Sequence, residues 1–184
     1  MTKDEYHASE FLQALKRIWT EDIVEFKGEY YNIPVSKIGP KPIHKPHPPI
    51  YIGGLSPNTY SRVINYETNG WLGVIAGPLE YLDNTMKTIK DLANRANKNP
   101  NNFKVILLTY PKIVFDSKGS QSAATIDESQ RFPLIGTVDQ VGNDIQRIKQ
   151  MDVDHIILAY NFIPIGRDID KMIDITKQLS RYAR

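Results

Sequence analysis

The residues with the clearest chemical potential form one short run, Ile52-Gly53-Gly54-Leu55-Ser56-Pro57. Two adjacent glycines let the backbone approach a ligand closely, because neither carries a side chain. Ser56 is a preferred helix N-cap residue, and Pro57 suits the first helical turn. Free amides and the dipole at a helix start favour a phosphate or another anion. The run therefore indicates either an anion site formed by Gly53, Gly54 and Ser56, here called the glycine loop (residues 53–56), or simply a tight strand-to-helix turn.

Other chemically capable residues are scattered. Gly73–Gly77 lies at the end of a predicted strand and could line a pocket, but the following Pro78 fits a simple helix entry equally well. Tyr160 and Asn161 follow the last predicted strand, where side chains can reach a ligand, although exposed polar residues are also common at such positions. The four histidines do not have the i, i+4 helical spacing of a zinc site, and the sequence contains no cysteine. It also lacks a Gly-x-Ser-x-Gly nucleophile elbow and a phosphate loop ending in Gly-Lys-Ser/Thr. We therefore predict no metal site and assign no catalytic residue.

Hydrophobic periodicity predicts the elements that must position the glycine loop. A leading amphipathic helix over 11–19 is followed by a hairpin that turns at Gly28, and then by an extended stretch with five prolines between residues 40 and 49. The remaining predicted strands are 50–52, 71–75, 104–115 and 155–159, and the remaining helices are 57–67, 79–96, 138–148 and 169–179.

Residues 50–184 therefore form four predicted strand–helix units. Each has roughly 34 residues, close to the roughly 31 of an eight-stranded barrel. The strands are short and almost continuously apolar, as is typical of parallel strands that are covered on both faces. We expect an α/β fold of about four parallel strands with outer helices, which is half the strand count of a TIM (β/α)8 barrel.

Two local signals accompany this pattern. Thr137 and Gln140 have the spacing of a capping box at the start of the third of these helices. The polar segment 116–131 is weakly patterned, which predicts a surface loop or, alternatively, a mobile lid beside a pocket.

Composition limits the classes of protein. The 184 residues carry 23 Lys+Arg and 21 Asp+Glu, for a net charge of +2, which is too balanced for a nucleic-acid-binding surface. No run approaches the ~18 apolar residues of a membrane span, and the N-terminus lacks the pattern of a secretory signal. We expect a soluble cytoplasmic protein of one domain, residues 1–184, in which residues 1–49 precede the four units.

Several stretches together resemble the luciferase-like flavin-dependent monooxygenases, a family that includes bacterial luciferase, alkanesulfonate monooxygenases and deazaflavin-dependent oxidoreductases. The matching stretches are Trp19-Thr20 with Val24–Tyr31, Pro40–Gly54 with its Pro-Pro-Ile-Tyr-Ile-Gly-Gly run, Asn69-Gly70-Trp71 (where relatives have Asp in place of Asn69), Leu134–Val141 and Val153–Leu158.

The resemblance implies the C-terminal half of the family's (β/α)8 barrel, preceded by its helix and hairpin insertion. It implies an oxidoreductase that uses FMN, or alternatively a deazaflavin coenzyme, with reduced flavin or NAD(P)H as the electron source and a small organic molecule as the substrate. By the same resemblance, Gly53, Gly54 and Ser56 would approach the flavin or its phosphate tail.

Relatives carry roughly four barrel strands before the segment that begins here. Four parallel strands alone leave two open edges, which invite pairing. We therefore expect a truncated chain that forms a homo-oligomer or binds a missing N-terminal half barrel. The alternative is a non-catalytic flavin-binding or assembly protein derived from a truncated family member.

Overall fold

The computed structural model of the protein describes residues 3–66, 68–114, 131–161 and 163–183. The chain divides into two compact units, Met1–Ile50 and Tyr51–Arg184. In the described residues no helix combines the length and apolar character that a bilayer crossing requires.

The first unit contains the predicted helix and hairpin. Helix α1 spans Lys3–Thr20, and strands β1 (Val24–Lys27) and β2 (Asn32–Ser36) pair antiparallel. Between the two strands, the backbone amides of residues 29–31 donate to the carboxylate of Glu10 on α1. No helix or strand follows β2 as far as Ile50, in agreement with the proline-rich composition of this stretch.

Glu10 closes the hairpin turn from the helix side. Its Oε1 accepts the amides of Tyr31 at 2.5 Å and Tyr30 at 2.8 Å, and its Oε2 accepts the amide of Glu29 at 2.9 Å. Burial by itself would raise the pKa of Glu10, but the three amide hydrogen bonds lower it overall. A Cβ at Gly28 would overlap this carboxylate, so only glycine leaves room for the contact.

The main sheet of the second unit has four strands, β3 (Tyr51–Gly53), β4 (Gly70–Val74), β5 (Lys104–Thr109) and β8 (His155–Leu158). They lie in the order β3-β4-β5-β8, and every neighbouring pair is parallel. This confirms the predicted α/β arrangement. The helices that follow the strands are α2 (Pro57–Asn65), α3 (Leu79–Arg95), α4 (Val138–Lys149) and α5 (Ile169–Ala183), with short 3-10 helices at Pro100–Asn102 and Pro164–Arg167.

One predicted strand is divided. The expected strand over 104–115 ends at Thr109, and a separate strand, β6 (Lys112–Ile113), pairs instead with β7 (Ile135–Gly136). Pro111 lies at the break and has no amide hydrogen to continue the ladder. Residue 115 and the segment 116–130, to which the lid prediction applies, lie outside the described residues.

The two faces of the sheet differ. Strand register places Trp71 with Val105 and Gly73 with Leu107 on one face, and this face packs against the helices in the main apolar core. The opposite face carries a register-aligned apolar set that is half-buried or exposed: Leu72, Val74, Ile106, Leu108 and Ile157. The helices of the unit therefore cover the sheet on one side.

Helix α4 begins with the predicted capping box. The Thr137 amide donates to Gln140 Oε1 at 3.1 Å, and the Gln140 amide donates to Thr137 Oγ1 at 3.2 Å. Asp144 on the same helix forms a buried bidentate pair with Arg131, at 2.6 and 2.9 Å, and also accepts the Leu134 amide at 2.7 Å. These bonds fix the chain from Arg131 to the start of α4.

Candidate functional site

The glycine loop connects β3 to α2 at the carboxyl edge of the sheet. Because all four strands are parallel, the residues after β3, β4, β5 and β8 meet at this one edge. All four residues of the loop, 53 to 56, are exposed. The loop therefore has the position that a ligand site takes in open parallel sheets.

Ser56 caps α2 as predicted. Its backbone is extended (φ −94°, ψ 152°), its Oγ accepts the Thr59 amide at 3.2 Å, and Pro57 occupies the first helical position. Ser56 Oγ also lies 3.1 Å from Thr59 Oγ1. The cap orients the Ser56 hydroxyl and satisfies one of the orphan amides of the helix.

Gly54 has a conformation that favours glycine. Its φ is +132°, in the region that residues with a Cβ rarely adopt. A Cβ at this position would lie 2.6 Å from Thr59 Oγ1, and Thr59 is buried. Gly53 differs, since a Cβ there would make only an ordinary contact, 3.6 Å from the carbonyl oxygen of Leu72. Of the pair, Gly54 is therefore the residue that the turn requires.

Trp71 of β4 forms a hydrogen bond with the glycine loop. Its indole N–H donates to the carbonyl oxygen of Gly54 at 2.8 Å, and its ring is 1% exposed. Tyr60 of α2 packs edge-on against this ring, with the centroids 5.6 Å apart, and its hydroxyl lies 3.4 Å from Thr85 Oγ1.

Sequence reasoning did not identify Trp71 as part of the site. The available signal was that a tryptophan in a buried strand needs an acceptor for its N–H. A backbone carbonyl of the glycine turn at the end of the neighbouring strand was the nearest candidate acceptor.

The electrostatics of α2 differ from those of the other three helices that follow strands of the sheet. The first turns of α3, α4 and α5 carry the carboxylates Glu80, Asp139 and Asp170, which complement the positive end of each helix dipole. Asp168, directly before α5, has a lowered pKa, chiefly because its carboxylate accepts the Lys171 amide. The first turn of α2 carries no acidic residue, and its cap is the neutral Ser56. The start of α2 is thus left able to bind an external anion.

The other strand-end candidates contribute less. The last residue of β4, Val74, and the following loop 75–78 line a cavity of about 180 Å³ together with Leu55 and Trp71. The Tyr160 hydroxyl lies 3.0 Å from Thr176 Oγ1 on α5, and Asn161 lies in an exposed turn. Within the described part of the chain, Tyr160 is therefore engaged by α5, and the best-formed ligand geometry is at the glycine loop.

A larger cavity, of about 360 Å³, lies away from this loop. It is formed between β8 and helices α4 and α5, and its lining includes Asp154 and His155 at the amino end of β8. Among the described strands, none pairs with the outer edge of β8. We therefore interpret this cavity as part of an open sheet edge.

The amino edge of the sheet is held by a charged pair. Lys104 Nζ lies 2.6 Å from Asp154 Oδ1, and the Val105 amide donates to Asp154 Oδ2 at 2.8 Å. Burial alone would raise the pKa of Asp154, but the hydrogen bonds from Lys104 and Val105 lower it overall. These charges join β5 to the start of β8, on the opposite edge from the glycine loop.

Parallel strands, helices over one face and a glycine loop at the carboxyl edge are typical of a section of a (β/α)-barrel. The sequence profile of the luciferase-like monooxygenase family matches residues 5–118. The chain belongs to this family.

Individual relatives agree with this assignment. An FMNH2-dependent dimethylsulfone monooxygenase from Pseudomonas putida is 43% identical over 67 residues, which cover 34% of this chain and 18% of that enzyme. The matched region therefore covers less than a fifth of the length of this relative.

Solved structures show the same fold over almost the whole chain. An F420-dependent secondary alcohol dehydrogenase superposes with a TM-score of 0.75 at 19% identity, covering 98% of this chain and 62% of that one. An EDTA monooxygenase from Chelativorans sp. BNC1 gives a TM-score of 0.66 at 12% identity, covering 98% and 61%. The predicted partial TIM barrel is confirmed as the fold class, and the chain spans about three fifths of these structures.

Proposed function

We propose that this chain takes part in a flavin-dependent monooxygenase reaction and that its glycine loop binds the phosphate of FMN. The observation that carries the proposal is the start of α2, which combines an exposed Gly-Gly turn, a neutral Ser56 cap and a first turn without a carboxylate. A phosphate monoester fits this arrangement, since it needs close backbone approach, amide donors and a positive helix end. The FMNH2-dependent relative supports FMN, and the F420-dependent structures keep a deazaflavin coenzyme as the alternative.

The residues of the loop have separable tasks in this proposal. Gly53 and Gly54 let the phosphate approach the backbone. The Ser56 hydroxyl donates its hydrogen to a phosphate oxygen, while its oxygen still accepts the hydrogen bond from the Thr59 amide. When bound, the flavin supplies electrons for the reduction of molecular oxygen or for hydride transfer, and it is reduced beforehand or by NAD(P)H. The substrate is a small organic molecule.

We further propose that the sheet is completed by other strands. The outer edges of β3 and β8 have no strand partner among the described residues, and the face with Leu72, Ile106 and Leu108 is not covered by the helices of the unit. A second copy of the chain or the complementary half of a barrel would pair these edges and bury this face. Light scattering tests the first arrangement: a stable monomer of 21.0 kDa would contradict self-association.

Flavin titration tests the proposed function. We expect FMN to bind more tightly than riboflavin, which has the same ring system without the phosphate, and we expect quenching of flavin fluorescence on binding. Equal affinities for FMN and riboflavin would contradict the assignment of the glycine loop to the phosphate. A preference for a deazaflavin coenzyme over FMN would select the alternative cofactor.

A non-catalytic flavin-binding or assembly protein is the second candidate function, and the open edges of the sheet favour it. The two candidates differ in turnover. Flavin-dependent oxidation of NAD(P)H that is lost when a bulky residue replaces Gly54 would exclude the non-catalytic role. Flavin binding without turnover, in the monomer and in any assembly, would favour it.

A further inference from the structure

We propose that Trp71 is the positioning residue of the glycine loop and that its indole N–H holds the amide of Leu55 in the orientation needed for phosphate binding. This inference rests on the proposed function of the loop. It starts from the 2.8 Å hydrogen bond between Trp71 Nε1 and the carbonyl oxygen of Gly54.

The hydrogen bond fixes a peptide plane. The cis peptide bonds of the described chain precede Pro40 and Pro46, so the bond between Gly54 and Leu55 is trans. In a planar trans peptide the C=O and the N–H point in opposite directions. Trp71 is buried between the sheet and the helices, so the Gly54 carbonyl points inward and the Leu55 N–H points to the exposed side of the loop.

Because Gly54 is a glycine with a positive φ, the orientation of the Gly54–Leu55 peptide depends on a hydrogen-bonding partner. Glycine has more accessible backbone conformations than any other residue, so a Gly-Gly turn without a tie would sample several peptide orientations. The indole is held rigidly, because Tyr60 packs edge-on against it and a Cβ at Gly73 would overlap its ring. A rigid donor therefore selects one orientation of a flexible loop before the ligand arrives, which lowers the entropic cost of binding.

Trp71→Phe tests the proposal, because it keeps an aromatic ring against Tyr60 and removes the indole donor, together with part of the volume of a buried ring. We expect the Kd for FMN to rise about five- to tenfold, the range that corresponds to loss of one hydrogen bond. The Kd for riboflavin should change less than about twofold, because riboflavin has no phosphate to meet the Leu55 amide. A purely structural role of Trp71 would weaken both ligands equally.

Tyr60→Phe is the matched control. It also removes one polar group from the same aromatic cluster, but the bond from Trp71 to Gly54 remains. We expect it to leave the ratio of the FMN and riboflavin affinities unchanged. If Trp71→Phe leaves that ratio unchanged as well, while the wild-type protein prefers FMN, the proposal is overturned.

Backbone NMR relaxation distinguishes failure of this inference from failure of the proposed function. In the ligand-free protein, the amide order parameters of residues 54–56 should fall in Trp71→Phe and not in Tyr60→Phe. If the wild-type protein does not bind FMN, the phosphate assignment is wrong, and lower order parameters in Trp71→Phe would still support Trp71 as the residue that orders the loop. Unchanged order parameters in Trp71→Phe would overturn the positioning role whatever the flavin result.

Discussion

Replacement of Gly54 by alanine should destabilise the protein, and the structure supplies two reasons. The φ of +132° costs a residue with a Cβ about 1–2 kcal/mol relative to glycine. The added Cβ would also lie 2.6 Å from Thr59 Oγ1, in a buried site where overpacking costs about 1–3 kcal/mol. We expect a total loss of about 2–5 kcal/mol. A loss of about 3 kcal/mol lowers the Tm of a chain of this length by about 6–12 °C.

Gly53→Ala is the matched control at the neighbouring position. Its backbone lies outside the left-handed region, and its Cβ would be 3.6 Å from the nearest atom, the carbonyl oxygen of Leu72. A glycine-to-alanine change without strain reduces the freedom of the unfolded chain and stabilises a protein by about 0.4–1 kcal/mol. The two adjacent variants should therefore shift stability in opposite directions.

Thermal and urea unfolding followed by circular dichroism at 222 nm measure both variants. A double-mutant cycle with Thr59→Ala separates the two causes, because it removes the clashing hydroxyl and leaves the strain of the positive φ. We expect the second change to recover the overpacking part of the loss. Equal destabilisation by Gly53→Ala and Gly54→Ala, or an absence of coupling between Gly54 and Thr59, would refute this reasoning.

Three further predictions concern the supports of the fold. Thr137→Ala removes the cap of α4 and should cost about 1 kcal/mol in urea unfolding. Asp144→Ala removes the carboxylate that faces the buried Arg131 side chain and should cost about 3–5 kcal/mol, whereas replacing both residues by apolar ones should cost less. The stabilisation by Glu10 should be complete above its ordinary pKa and lost as the pH falls through its lowered pKa, and Glu10→Gln should flatten this dependence in an NMR titration of the hairpin amides.

Each of these has a clear contrary result. A Thr137→Ser variant should retain most of the wild-type stability, and a loss equal to that of Thr137→Ala would exclude the cap as the cause. A double apolar variant less stable than Asp144→Ala would contradict the desolvation argument. Hairpin amides that titrate identically with and without the Glu10 carboxylate would show that it does not hold the turn.

Much of the fold could be predicted because its signals are local. The helix starting at Leu79, the capping box of Thr137 and the N-cap at Ser56 each depend on residues within a few positions of one another. Strand boundaries were less exact, as at 104–115, where the proline at 111 was present in the sequence but its effect on strand pairing was not recognised. The number of strands in the main sheet and their parallel direction followed from the alternation of the elements.

The contacts between residues that are distant in the sequence could not be predicted in the same way. Trp71 and Gly54 are 17 positions apart, Asp144 and Arg131 are 13 apart, and Glu10 reaches a turn about 20 residues away. No periodicity encodes which distant acceptor a buried donor meets, because that choice is made when strands and helices pack. Their partners became evident only in the structure.

By itself, the sequence determined the elements, their alternation and the glycine loop, because backbone conformation and amphipathic spacing are properties of short segments. The tertiary structure decided which glycine the turn requires and which side of that turn its carbonyl faces. These depend on the distances between atoms from different strands and helices, such as the 2.8 Å from the Trp71 indole nitrogen to the Gly54 carbonyl oxygen. Register and packing bring such atoms together.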